Sequence, residues 1–62
     1  MPIINIQVLE GRPQETIDKL MKDVTETVSE SFGAPKQNIR VIVREVPKTH
    51  WSIGGVSASE LR

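Results

Sequence analysis

The stretch IINIQVLEGRPQETIDKLMKDVTETVSESF, residues 3–32, decides the fold, because its apolar period changes part-way along. From Ile3 to Leu9 the period is two. Ile4, Ile6 and Val8 share one face, and Ile3, Asn5, Gln7 and Leu9 share the other. Alternation of β-branched residues predicts a strand. Its second face is semi-polar rather than charged, which predicts that something covers it. Glu10-Gly11-Arg12 reads as a turn, and Pro13 suits the first position of a helix, where its missing N–H costs nothing. Ile17, Leu20, Met21, Val24, Val28 and Phe32 then recur at spacings of three and four, one apolar stripe of an amphipathic helix over residues 13–32. Asp18, Lys19, Lys22, Asp23, Glu26 and Glu30 fall on its solvated side. Gly33 is placed as a left-handed cap and Pro35 as a stop.

Working outward, Ile39–Val46 returns to period two, with Ile39, Val41 and Val43 on one face and Arg40, Ile42 and Arg44 on the other. Pro47 and the Gly54-Gly55 pair bracket a short extended segment that predicts a small hairpin. Ser57–Arg62 is a polar tail with room for one helical turn. Strand, helix, strand at this length is an α/β (α+β) fold: a single βαβ unit with parallel strands and a right-handed crossover helix. The helix covers one sheet face and nothing in the chain remains for the other. A two-stranded sheet is not independently stable. The open face is therefore expected to oligomerise, most simply as a closed symmetric homo-oligomer.

Composition points the same way. The chain has 62 residues, one domain over 1–62, with no cysteine and one histidine, His50. A domain this small needs a disulfide, a metal or a partner chain. Without Cys, and with one His, the first two are out of reach. Eight Lys and Arg balance eight Asp and Glu, and Phe32 and Trp51 are the only aromatic residues. Neither a basic surplus nor a stacking platform for nucleic acid is present. No apolar run has the length of a membrane span, and the N-terminus has no signal-peptide pattern. The expectation is a cytoplasmic protein with no nucleic-acid or membrane partner.

A few residues carry chemistry. Pro2 follows Met1, and removal of Met1 exposes a secondary amine, although Met-Pro is a common beginning with no meaning of its own. Arg12 sits where strand gives way to helix. The helix dipole disfavours a cation there and favours an anion, so Arg12 makes best sense with a bound anion between, although on its own it reads as a solvated surface arginine. Arg40 and Arg44 lie on the strand face that the helix does not cover. Trp51 is suited to a subunit interface or to the apolar wall of a pocket, and His50 to a structural hydrogen bond. The four glycines form no phosphate-binding GxGxxG or P-loop.

Taken together, Pro2 after Met1, Leu9-Glu10-Gly11-Arg12, Arg40-Val41-Ile42 and His50-Trp51-Ser52-Ile53-Gly54-Gly55 closely resemble the 4-oxalocrotonate tautomerase family, also called 2-hydroxymuconate tautomerases. The likeness spans essentially the whole chain. It implies a hexamer, a trimer of dimers, acting on a small carboxylated enol without a cofactor, since tautomerisation is redox-neutral. By position, Pro2 is the general acid/base and Arg12 binds the distal carboxylate of a dicarboxylic substrate. Arg40, from a neighbouring subunit, holds the 1-carboxylate and 2-oxygen. Leu9 lines the site near its backbone N–H, and Trp51 supplies the apolar wall where the family commonly has Phe. Arg44 stands where a small uncharged residue is expected, and both departures bear on substrate choice. A free α-amine titrates at about 7.7–8.0, a prolyl amine somewhat higher. Cations and burial beside Pro2 lower it toward the value that suits a base. Two other functions stay open on sequence: a noncatalytic binding protein with an anion pocket, and hydration or dehalogenation of unsaturated acids. The latter needs a further carboxylate to activate water, and none is assigned.

Overall fold

The computed structural model describes residues 1–61, so the end of the tail at Arg62 lies outside the described residues. The order of elements is β1 (Ile3–Leu9), α1 (Gln14–Phe32), β2 (Arg40–Val46), β3 (Ser52–Ile53), β4 (Val56–Ser57) and α2 (Ala58–Leu61). β1 and β2 pair in parallel, in a register running from Ile3 opposite Arg40 to Leu9 opposite Val46. The alternation in both strands translates directly into burial: Ile4, Ile6, Val8, Val41 and Val43 are partly covered, while Ile3, Asn5, Gln7, Arg40, Ile42 and Arg44 are exposed. α1 packs on the first face only.

Two boundaries and one side chain's burial differ from the sequence reading. Pro13 is the residue before the helix, with extended ψ of 152°, and its carbonyl accepts the N–H groups of Thr16 and Ile17. Its fixed φ suits either position, and neither needs its missing N–H. Ile39 is outside β2, because its N–H closes a 3-10 turn over Lys36–Asn38 by bonding to the Lys36 carbonyl at 3.0 Å. Its side chain is nevertheless buried, 7% exposed. Phe32, expected in the apolar stripe, is 71% exposed. Nineteen helical residues span about 28 Å, whereas seven strand residues span about 23 Å, so α1 is about one turn longer than the strands it packs on. Gly33 ends that turn at φ 67°, its N–H on the Ser29 carbonyl, the left-handed cap that a Cβ would oppose.

The hairpin is as the Gly pair predicts. β3 and β4 are antiparallel, with Gly54 and Gly55 at φ 61° and 89°, the double positive φ of a type I′ turn. The Ala58 N–H closes it onto the Trp51 carbonyl at 2.6 Å, and Ala58 is buried where α2 begins.

What the chain does not form is a closed core. Only Ile17, Ile39 and Ala58 are buried among the described residues. The radius of gyration is 14.6 Å, against about 11 Å for a compact domain of this length. The accessible surface is 4771 Å², against about 4,000 Å² for a monomer of this mass. The protomer is a slab, 43 × 23 × 13 Å, one helix and one sheet thick.

Candidate active site

The strand register sorts the predicted site residues into two groups. At the start of the ladder Pro2 is half-buried, and its carbonyl accepts the Arg40 N–H at 3.0 Å. That bond carries the parallel ladder one rung past β1 and fixes the backbone of Pro2 against the first residue of β2. The Arg40 side chain is exposed on the open face, and its Nη1 donates to the Gln37 carbonyl at 2.8 Å. A guanidinium has five N–H donors, so this contact orients the side chain and leaves donors for a ligand.

At the far end of the ladder Leu9 pairs with Val46, and the Glu10 N–H donates to the Val46 carbonyl at 3.0 Å. Arg12 folds back over this end, its Nη1 donating to the Leu9 carbonyl at 2.9 Å. Trp51 comes five residues after β2 ends there, half-buried in the segment leading into β3. His50 makes the local hydrogen bond expected of it, Nδ1 to Thr49 Oγ1 at 3.0 Å, and is exposed.

Pro2 and Leu9 are seven residues apart along one strand, about 23 Å at 3.3 Å per residue. Within one chain, then, Arg40 neighbours Pro2 through the backbone, and Arg12 does not. The resemblance set both cations beside Pro2, with Arg40 drawn from a neighbouring subunit, whereas here the Arg40 backbone adjoins Pro2 of its own chain. In a single protomer only one is there, because a straight strand separates the other.

With this arrangement of β1, α1, β2 and hairpin in place, comparison with known proteins decides the family: residues 2–61 match the Tautomerase enzyme family. The chain belongs to the tautomerases. It is 46% identical over 61 residues to the 2-hydroxymuconate tautomerase of Pseudomonas putida, covering 98% of this chain and 97% of that one. It is 47% identical over 60 residues to a probable tautomerase of Lactiplantibacillus plantarum, covering 97% and 94%. Among solved structures, a heterohexamer 4-oxalocrotonate tautomerase from Chloroflexus aurantiacus J-10-fl superposes with a TM-score of 0.93 at 39% identity, covering both chains completely. A 4-oxalocrotonate tautomerase isozyme from Methylibium petroleiphilum gives 0.91 at 45% identity, covering 97% of each chain.

The tautomerase also has features that the sequence reading missed. A groove of about 300 Å³ opens in the middle of the uncovered sheet face, lined by Asn5, Ile6, Gln7, Ile42 and Arg44. Neither Pro2 nor Arg12 borders it. Asn5 and Gln7 drew no attention as single residues, and only the register, Gln7 opposite Arg44, brings them to the same place. No group of His, Cys, Asp or Glu suited to a metal ion occurs among the described residues, and no helix there is long and apolar enough to cross a membrane.

Proposed function

We propose that this tautomerase interconverts enol and keto forms of 2-hydroxymuconate-like dienoates, with the amine of Pro2, freed by loss of Met1, as general acid/base. The observation that carries the reading is the bond between the Arg40 N–H and the Pro2 carbonyl. It fixes the residue that bears the amino-terminal base at a sheet end, against the backbone of Arg40, and rigid placement is where much of a catalytic advantage originates. Pro2 nitrogen takes the proton from the 2-hydroxyl and returns it to carbon in a 1,3- or 1,5-transfer. Arg40 holds the 1-carboxylate and the 2-oxygen as charge moves between them. Arg12 binds the distal carboxylate with its planar fork and draws electron density toward it. Leu9 and Trp51 form the wall.

Arg12 reaches that substrate from another copy, since its own Pro2 is about 23 Å away along β1. The working unit is therefore a homo-oligomer, as the slab-like protomer and its excess surface also favour. The hexamer named for the Chloroflexus relative makes a trimer of dimers the form expected here.

The test is to add one residue ahead of Pro2, which turns the amine into an amide and leaves both arginines in place. Ultraviolet absorbance of 2-hydroxymuconate should then show turnover collapsing, while a dicarboxylate inhibitor binds only modestly less well. An extended protein of full activity would remove Pro2 as the base. Arg40→Ala, which loses an electrostatic stabiliser at the reacting end, should lower kcat by about 10²–10³.

A further inference from the structure

The open face of the β1–β2 sheet carries one sign of charge. Ile3, Asn5 and Gln7 present to it from β1, and Arg40, Ile42 and Arg44 from β2, with no carboxylate among the six. Glu45, next to Arg44, alternates to the opposite side of its strand. The arginines differ in how they are held. Arg12 rests on the Leu9 carbonyl and Arg40 on the Gln37 carbonyl. Arg44 has no hydrogen bond or ion pair among the described residues. Directly opposite it stands Gln7, and one same-face step back Asn5 stands opposite Ile42. Strands lie about 4.8 Å apart and same-face neighbours about 6.6 Å, so one guanidinium and two carboxamides ring the groove of about 300 Å³ over Ile42.

We infer that this groove is an anion site separate from Pro2, Arg12 and Arg40, taking a small oxyanion, phosphate or carboxylate. Arg44 is its bidentate fork, and the amide groups of Gln7 and Asn5 are its further donors. A guanidinium and two rotatable carboxamides can supply N–H groups to several oxygens at once, and Ile42 closes the floor without competing for them. A carboxylate-free, donor-rich groove of this size fits an oxyanion and not a cation. The site also answers a difficulty that rests on the assembly proposed above. Copies that meet through this same carboxylate-free face bury Arg44 side chains without a countercharge, and an uncompensated buried charge is strongly destabilising. A bound anion removes that penalty, so it belongs to the seam between copies.

The experiment titrates inorganic phosphate, and separately acetate and malonate, at matched ionic strength into the protein with both Arg12 and Arg40 changed to Ala, followed by calorimetry. Binding should persist in that background. Adding Arg44→Met should weaken it about tenfold or more, and adding Gln7→Leu should weaken it severalfold. Phosphate binding with the carboxylates silent identifies free phosphate or a phosphorylated metabolite, and the reverse identifies a carboxylate. Equal anion affinity with and without Arg44→Met, or no binding in the Arg12 and Arg40 background, overturns the site. Should Arg44→Met fail to fold, Arg44→Lys keeps the charge and loses the fork, and undiminished affinity in that variant overturns the site equally. A wild-type protein that binds phosphate through Arg44 but turns over no dienoate would sink the catalytic reading and leave this one standing.

Discussion

Two crippled proteins should repair each other. One carries an extra residue ahead of Pro2 and lacks the base; the other is Arg12→Ala and lacks the distal carboxylate site. Each is expected to be nearly inactive alone. The strand between Pro2 and Leu9 runs about 23 Å, and Arg12 is tied to the Leu9 carbonyl at 2.9 Å. A hydrogen-bonded substrate needs its donors within about 3 Å of its oxygens, so no single chain serves one short dienoate with both ends. On the proposed mechanism each working site takes Pro2 from one copy and Arg12 from another. If equal amounts are unfolded together in urea and refolded, random assembly leaves about one site in four with both groups intact. Sites drawing both groups from the same chain would recover none. The assay is the ultraviolet rate of 2-hydroxymuconate ketonisation, set against each parent refolded alone, with native mass spectrometry to confirm mixed oligomers. Mixed oligomers whose rate is no more than the mean of the parents would refute the shared site.

Three further outcomes follow from the protomer itself. Ile17→Ala empties a position only 6% exposed between α1 and the sheet and should cost about 2–4 kcal/mol, read as a lower urea midpoint at fixed protein concentration. Gly33→Ala places a Cβ at φ 67° that meets nothing within 4 Å, so its loss should be the backbone term alone, about 1–2 kcal/mol. The hydrogen bond from Lys19 to Asp23, and then their charge attraction, raise the lysine above its ordinary value. This contribution is present at neutral pH and is lost as pH climbs through the raised value. Asp23→Asn should return the lysine to the ordinary value in an NMR titration, with no resolvable change in the midpoint of unfolding, since the pair is exposed.

How much of this was legible in the residues depends on the length scale. Ile3–Leu9 and the stripe from Ile17 to Val28 announce themselves, because one face of each element must be apolar and its period is fixed by backbone geometry. The Gly54-Gly55 turn is equally readable, since two successive positive φ values favour glycine at both positions. The edges were less so. Ile39 looks like strand by its side chain, yet its N–H is claimed by the turn after Pro35, a competition among backbone donors that side-chain patterns do not record. Phe32 continues the helical period past the end of the surface it should cover, and only the relative lengths of α1 and β1 reveal that. The separation of Arg12 from Pro2 was in the sequence all along, as seven strand residues. The resemblance to a family named both as site residues without saying that one chain cannot supply them together. The groove at Arg44 was invisible for the opposite reason: it exists only through the register between two strands 37 residues apart.

A slab 13 Å thick with three buried side chains among the described residues has little to hold it together while it is solitary. For a chain that assembles as proposed, gaining shape and finding companions are one event, so its half-time depends on how many copies have already been made. At low expression a newly synthesised molecule waits, with Ile3, Phe32, Ile42 and Ile53 uncovered, and a protease competes for it during that wait. Above a threshold set by mass action the population locks into durable form. Enzyme output would then rise more steeply than transcript at first, giving an off state at low dose without any regulator.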